Sequence, residues 1–548
     1  MPLPPAKPVA PPFPPLWFVF VLPALAAVAL YIPTLAAGFL SDDYSQLHAF
    51  DGCEGMRGFG ACIARLFVSG MSAPSYQYRP LGMASFAVNA WLGADPYFWH
   101  LVNVALHAAN AALIALLASQ LVGNRTIHAR YAALAAGWLF AWFAPGIEAV
   151  AWVAARFDDM ALFFMLIAAC AFVASRRWTD AFGLTSLAAT ILAFLCKEAA
   201  AIGIVLIAAL AWWKEPGRAP LLRYAVRAAV AAAPWLFVAA AYFVFRAVLF
   251  GDAFRVYPGA SPLRALVTGE WLVALPGIVS WSAAALPETG ARIGFACSAL
   301  ALAGCAIVAG LRERAAARAF AVVAATVAIG FALVLAQLRW PGNGEGGRVL
   351  YAIGAVAALG LALPLAAAGP RLRALAWSCA TVLLASEYLL AHEGVLRWVQ
   401  AGDDARALAA ALAATAAATP AEGYAFVVIP DHVGAIPFGR NAQGGLIVPP
   451  VQAQPLSSRL IVQTPDGLAQ WPDLIERDII GRLRREPLAR VVANLRPPKV
   501  SPPYALPDRY FCWSPHARAL VPLPSIADAG LANWDATFAR ALDAAGCE

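Results

Sequence analysis

Charged residues are scarce in this chain. Asp, Glu, Lys and Arg make up 13% of its 548 residues, against about 25% in a soluble globular domain. Hydrophobic residues make up 61%, and the mean hydropathy is +0.68. That balance excludes a soluble enzyme and points to a polytopic, helical membrane protein. Other absences narrow the class. No Cys/His cluster has the spacing of zinc ligands, and no glycine-rich loop of the Walker type occurs. No internal repeat is visible, and the pseudo-symmetric halves that mark many transporters are missing. Lysine is nearly absent while Ala and Arg abound, as in a GC-rich bacterial genome. The expected location is therefore a bacterial inner membrane.

Apolar runs, by contrast, recur through the first 392 residues. The first, residues 16–40, carries no charge and exceeds the roughly 20 residues that a bilayer crossing needs. It is longer than the core of a secretory signal, and its leader holds one cation, Lys7. Residues 1–15 read as a short cytoplasmic tail. Eleven spans are expected, near 16–40, 99–122, 131–145, 159–175, 181–196, 199–213, 228–250, 293–311, 319–338, 349–368 and 374–392. With the amino terminus inside, thirteen cations fall in five short cytoplasmic loops. They are Arg125 and Arg130; Arg176 and Arg177; Lys214, Arg218, Arg223 and Arg227; Arg312, Arg314 and Arg318; Arg371 and Arg373. An odd number of spans puts the carboxyl-terminal region outside. Residues 265–287 are apolar enough to cross as well, but a crossing there would carry the 312–318 cations outward. An outer or re-entrant helix is expected instead.

The expected fold is thus an all-α polytopic membrane domain, residues 1–392, followed by a periplasmic α/β module, residues 393–548. In the module, 423–430 and 458–464 read as strands, 468–486 and 530–545 as helices, and the proline clusters at 449–455 and 497–507 as loops. Its 14 cations and 15 acids offer no basic surface to nucleic acid. Cys53 and Cys62 fall in the first outer loop (41–98), and Cys512 and Cys547 in the module, so each pair is a disulfide candidate in an oxidising compartment.

Ionisable residues gather on the expected outer face. Asp42-Asp43 follows the first span directly. Two adjacent carboxylates at a membrane boundary repel one another and must be hydrated, paired or used; they are more than a helix cap needs, and a general base is the expected use. Tyr78 and Arg79 lie near the end of the first outer loop, Glu148, Arg156 and Asp158-Asp159 after the third span, and Lys197-Glu198 between two spans. Arg339, Glu345, Arg348 and Tyr351 form a weaker group. Each also has a structural use: Arg79 and Arg348 could snorkel, Lys197-Glu198 could be an interfacial ion pair, and Asp158-Asp159 could cap a helix. Their convergence on one side favours a functional site. His100, Asn103, His107 and Asn110 share one helical face. The last three are expected to bond between helices, and His100, at the outer end, to meet a phosphate or substrate hydroxyl.

The order S-D-D-Y (41–44), Y-R-P-L (78–81), H-L-V-N-x-x-L-H-x-x-N (100–110), P-G-I-E-A-V-A-W-V-A-A-R-F-D-D (145–159), K-E (197–198) and G-R-V-L-Y (347–351) resembles the GT-C membrane glycosyltransferases. The likeness is to the protein O-mannosyltransferases and the transmembrane O-mannosyltransferases that carry TPR repeats, and it covers most of residues 16–370. Two departures stand out. Gly347 and Arg348 replace an E-R-Y-L-Y-like run, leaving Glu345 as the nearest acid, and no TPR repeats follow the spans. Instead V-I-P-D-H-V-G-A-I-P-F-G-R-N (428–441) resembles a segment found after the spans in bacterial relatives.

The resemblance implies a cavity on the outer membrane face, a sugar donor carried on polyprenyl phosphate, and a base from the first outer loop, Asp42 or Asp43. Arg79, Arg156, Lys197 and Arg348 are then the expected ligands of the donor phosphate. Tyr78, His100, Glu148, Asp158, Asp159, Glu198 and Tyr351 are expected to meet substrate. A divalent ion, Mg2+ or Mn2+, bridging Asp42 and Asp43 to the phosphate is a further candidate. The acceptor would be a hydroxyl of a glycan, lipid or protein. The competing readings are a flippase of lipid-linked sugars and a non-catalytic scaffold that presents the outer module.

Overall fold

A computed structural model describes residues 15–51, 53, 55–68, 77–123, 126–215, 221–254, 289–312, 314–334, 346–367, 369–420, 423, 425–464, 509–524 and 534–547. Residues 265–287, Arg339, Glu345 and the helix expected at 468–486 lie outside the described residues. In chain order the helices are α1 (Leu16–Tyr31), α2 (Asp42–His48), α3 (Gly55–Val68), α4 (Pro80–Leu92), α5 (Pro96–Val122), α6 (Ile127–Ala141), α7 (Ile147–Ala151) and α8 (Arg156–Ala174). Then come α9 (Ala181–Cys196), α10 (Ala201–Lys214), α11 (Leu221–Phe250), α12 (Thr289–Arg312), α13 (Arg314–Val334), α14 (Tyr351–Ala367), α15 (Pro370–Ala418) and α16 (Trp534–Ala544). The strands are β1 (Ala425–Val428), β2 (His432–Val433), β3 (Ile436–Pro437), β4 (Leu460–Gln463), β5 (Arg509–Ser514) and β6 (Ala519–Leu523).

The chain is a polytopic helical membrane protein. Among the described residues seven helices are long and apolar enough to cross a bilayer, and eight if the bent pair α6–α7 counts as one span. A helix occupies each of the eleven stretches read as spans, some of them shorter than a full crossing. At one end of the bundle, Lys214 donates to the carbonyls of Phe172 (2.8 Å) and Ser175 (2.6 Å), and Arg318 to that of Glu215 (2.8 Å). Cations of separate expected cytoplasmic loops thus close the carboxyl ends of α8 and α10, where they favour the helix dipoles.

The boundary expected at residue 392 falls inside α15. Its 49 residues would measure roughly 70 Å at 1.5 Å per residue, more than twice the ~30 Å apolar thickness of a bilayer. The last third, RALAAALAATAAA (406–418), is alanine-rich and has no reason to leave the helix. The helix therefore carries the chain straight into a four-stranded sheet of order β4-β1-β5-β6, with β1 parallel to both neighbours and β6 antiparallel to β5. Alternation splits β1 between two cores. Val427 and Ile429 pack with the membrane bundle, while Phe426 and Val428 face Tyr510, Cys512 and Cys547. Disulfides join Cys53 to Cys62 and Cys512 to Cys547, and Arg518 pairs with Asp404 of α15 at 2.8 Å.

The segment between α6 and α8 is the feature that shapes the site. Pro145 cannot donate to a helical ladder, α6 and α7 meet at a bend of 47°, and Trp152 is extended. Every residue from Ala144 to Leu162 is nonetheless buried. Irregular backbone in an apolar bundle survives where other protein groups satisfy it, and here four side chains from three elements do so. Glu387 of α15 accepts the Ala144 N–H (2.8 Å), Asn103 of α5 donates to the Trp152 carbonyl (3.0 Å), Asp43 accepts the Ala154 N–H (2.7 Å), and Asn110 donates to the Asp159 carbonyl (3.1 Å). Gly347 closes the packing, because a side chain there would collide with the Pro145 carbonyl.

Replacing Glu387 by Ala strands the buried Ala144 N–H, at a cost of about 1–3 kcal/mol. The thermal midpoint of the detergent-solubilised protein should fall in Glu387→Ala and recover in Glu387→Gln, which keeps an acceptor. Equal midpoints in all three proteins would remove Glu387 from this role.

Candidate functional site

Asp42 and Asp43 open α2, and the structure gives them different environments. Asp43 is 1% exposed. Its Oδ2 accepts the Leu40 N–H (3.0 Å) and its Oδ1 the Ala154 N–H (2.7 Å), so it joins the end of the first span to the break before α8. Burial pushes its carboxyl up to about 8, outweighing the two N–H bonds and Arg156, and the neighbouring Asp42 pushes the same way. Asp42 is half-buried. Its Oδ1 accepts from Asn441 Nδ2 at 2.6 Å, and its Oδ2 has no partner among the described residues. The residue before the pair, Ser41, has φ 48° and ψ −121°, a region that costs a non-glycine residue about 1–3 kcal/mol. The Ser41 N–H donates to Phe438 O (2.9 Å) and its hydroxyl to Arg440 O (2.7 Å).

The four cations expected to bind phosphate are each taken up by protein groups. Arg79 forms a forked bond to Glu198, with Nη2–Oε1 at 2.6 Å and Nε–Oε2 at 3.2 Å, and Arg246 approaches the same carboxylate at 3.9 Å. Burial pushes Glu198 up, but Arg79, Lys197 and Arg246 overrule it and hold the group at about 2. Lys197 clasps both oxygens of Asp158 at 2.6 and 2.7 Å. Arg348 pairs with Glu148, whose Oε2 also accepts the N–H groups of Gly346 (2.8 Å) and Arg348 (3.2 Å). Arg156, expected to meet a donor phosphate, is completely buried. Its Nε donates to Asn103 Oδ1 (2.8 Å), Nη1 to Asn89 Oδ1 (2.6 Å) and Nη2 to Trp99 O (2.8 Å), and it stacks on Phe86 at 4.5 Å.

Several residues expected to meet substrate lie within the bundle. His100, Asp159, Tyr78 and Tyr351 are buried. The Tyr351 hydroxyl bonds His107 Nδ1 (2.7 Å) and Asn110 Nδ2 (3.3 Å), and the Tyr78 hydroxyl donates to Phe67 O (2.9 Å). The interhelical bonding read for Asn103, His107 and Asn110 is present in each case.

The groups nevertheless converge, and segment 144–159 is their meeting point. It receives Asp43 at Ala154, Arg348 at Glu148 and Lys197 at Asp158, and Arg79 lies over its Phe157 ring at 5.2 Å. Among the described residues, Asp42 is the one of the acids singled out in the sequence that is not buried, and Arg348 the one of the four cations expected to bind phosphate. Trp152 joins Arg348 to the end of the first span. Its indole N–H donates to Leu40 O (3.3 Å), and Arg348 lies over its ring at 4.7 Å. Beside Glu148 and Gly347 opens a cavity of about 630 Å³, walled by Trp398 and Asp404 of α15 and by Val433–Ile436 of the β2–β3 hairpin. That volume is in the usual range of small-ligand sites. Sequence reasoning missed Trp152 and Asn441 as members of this rim. Both lie in motifs visible in the chain, but their partners are about 110 and 400 positions away.

Among the described residues no three His, Cys, Asp or Glu side chains form a metal-ligand set. The acidic pair is no metal cage by itself, since both Asp43 oxygens already accept N–H groups. Asp42 with a substrate phosphate would still match Mg2+, which commonly takes one or two carboxylates, phosphate oxygens and water.

The chain is similar to known O-mannosyltransferases. It is 32% identical over 199 residues to the protein O-mannosyl-transferase Tmtc2 of Drosophila melanogaster, a stretch covering 33% of this chain and 20% of that protein. It is 32% identical over 187 residues to Tmtc1 of the same fly (33% and 21%), and over 148 residues to TMTC2 of Homo sapiens (26% and 17%). The chain thus spans about a fifth of the length of these relatives. No family model matches the chain, and no solved structure matches it.

The two acids should separate experimentally. Asp43→Asn turns an acceptor facing a backbone N–H into a donor and should cost about 1–3 kcal/mol of stability, whereas Asp42→Asn should leave the thermal midpoint unchanged. The pH dependence carries a definite sign. Asp43 holds its proton more tightly when folded, so its contribution is complete below its ordinary 3.8 and is lost as pH rises to about 8. The midpoint should fall across that window, and fall less in Asp43→Asn; an identical slope in both proteins would contradict the assignment.

Proposed function

We propose that this chain is a membrane glycosyltransferase that moves a sugar from a polyprenyl-phosphate donor to an acceptor hydroxyl on the outer, periplasmic face. The observation that carries the reading is that Asp42 and Arg348 are partly exposed members of an otherwise buried set of ionic groups, with Arg348 paired to Glu148 in the wall of a cavity. The similarity to O-mannosyltransferases supports sugar transfer as the chemistry.

The reaction needs two things from the protein. A phosphate-linked sugar already carries a good leaving group, so the acceptor hydroxyl must lose a proton and the departing phosphate must be stabilised. Asp42 takes the proton as the acceptor oxygen bonds to the anomeric carbon. The bond from that carbon to the phosphate oxygen breaks on the opposite side, and the configuration inverts. Arg348 stabilises the polyprenyl phosphate that leaves; a planar guanidinium donates two parallel bonds to such a group. Glu148 holds Arg348 in place until the donor arrives. Asp42 is the residue that would hold a divalent cation, which would supply charge neutralisation. Arg79–Glu198 and Lys197–Asp158 act as struts, since opening either would leave a buried charge without its partner. The cavity by Trp398 would take the sugar or the acceptor.

The test is release of free polyprenyl phosphate from a radiolabelled polyprenyl-phosphate hexose. Asp42→Asn should lower turnover by about 10²–10⁴-fold, the usual loss for a general base, with donor binding retained. Arg348→Ala should weaken donor binding and turnover together. Tight donor binding without turnover, across several sugars and acceptor extracts, would favour a flippase; neither binding nor turnover would favour a scaffold.

A further inference from the structure

The sequence segment 428–441 has no task in the reaction so far, yet it reaches the acidic pair. Its last four residues lie along the start of α2. Phe438 O accepts the Ser41 N–H (2.9 Å), Arg440 O the Ser41 hydroxyl (2.7 Å), Asn441 O the Ser45 hydroxyl (3.2 Å), and Asn441 Nδ2 donates to Asp42 Oδ1 (2.6 Å). Gly445, just beyond, lets the backbone close on the same helix, because an added Cβ would meet Tyr44 at 2.6 Å and His48 at 3.0 Å. Asn441 itself has φ 60°, a left-handed conformation that Asn tolerates better than most residues.

Two features make this more than packing. Ser41 is the residue whose backbone is strained, and strain persists where surroundings over-determine it. Both of its non-local hydrogen bonds come from this segment. The carboxylate that Asn441 holds is the partly exposed one, and the amide donor engages Oδ1 and not Oδ2. The segment also contributes Val433–Ile436 to the cavity wall, so one stretch of chain touches both the acid and the cavity.

We infer that the carboxyl-terminal segment Phe438–Asn441 is part of the catalytic centre, with Asn441 a positioning residue that aims Asp42. The inference rests on the reading of Asp42 as the base. It gives the carboxyl-terminal module a role in turnover itself. The titratable and charged groups around this start of α2 are Asp43 and His48 on the helix, Asp51 bonded to His48, Arg156 of α8 and Arg406 of α15, and Arg440 precedes Asn441 in the segment. Asn441 contributes a neutral donor to that set, and a carboxylate in its place puts a like charge against Asp42.

Asn441 is exposed, so its substitution does not threaten the core. The full-length protein and its Asn441→Ala, Asn441→Asp and Asp42→Asn variants would be compared with a polyprenyl-phosphate hexose as donor. Asn441→Ala should lower kcat about tenfold or more while the donor KM stays within about twofold, the signature of a contact that matters in the transition state. In Asn441→Asp the rising limb of the pH–rate profile should move up by about one pH unit or more, as a like charge beside a base requires. Wild-type kcat and an unmoved limb in both variants, with Asp42→Asn inactive, would overturn the positioning role and leave the base assignment standing. Normal turnover by Asp42→Asn would overturn the base assignment and this inference with it.

Discussion

A broken helix inside an apolar bundle must have its backbone hydrogen bonds completed by something else, and most of the site follows from how this chain does it. Between Ala141 and Arg156 the ladder is interrupted at Pro145 and again at Trp152, yet the segment is buried throughout. Water does not reach these groups, so side chains must. Asp43, Asn103 and Glu387 are drawn inward from the first outer loop, α5 and α15. Three remote parts of the chain are thereby fixed against one short stretch, and the polar groups they carry become neighbours.

That constraint also divides the ionic residues into two kinds. Arg79–Glu198, Lys197–Asp158 and the bonds of Arg156 are closed on all sides. Charges buried in this way are stable while paired and costly once separated, so they suit holding helices in register better than receiving a substrate. Asp42 and Arg348 lie one step outward and are partly exposed. A pair of adjacent acids is then no redundancy. Asp43 gives its carboxylate to the fold, and in doing so brings Asp42 to the rim.

Much of this was legible in the sequence, and the limits are physical. Apolar runs and the cation-rich loops located the helices because hydrophobic length and charge asymmetry are local properties of the chain. The strands at 425–428 and 460–463 lie within stretches that alternation had marked. The polar stripe on α5 announced interhelical bonding, because its spacing puts Asn103, His107 and Asn110 on one face. Exposure was invisible. Arg156 and Arg348 look alike in one dimension, and only three-dimensional packing shows that the first is enclosed by Asn89, Trp99 and Asn103. The same holds for Asp42 and Asp43, and for Asn441, whose partner lies 399 positions away. The continuation of α15 past residue 392 was signalled by its alanine run, which hydropathy reading treats as a boundary because the apolar stretch ends there.

The account turns on where a lipid-phosphate sugar sits. The most direct measurement is a structure of the full-length protein in lipid nanodiscs with a non-transferable polyprenyl-phosphate hexose analogue. The phosphate should lie against Arg348 beside Trp152, with the sugar at the mouth of the adjoining cavity and the face of its anomeric carbon remote from the phosphate turned toward Asp42. A phosphate at the opposite end of the bundle, near Lys214 and Arg318, or a sugar with no path to Asp42, would contradict it.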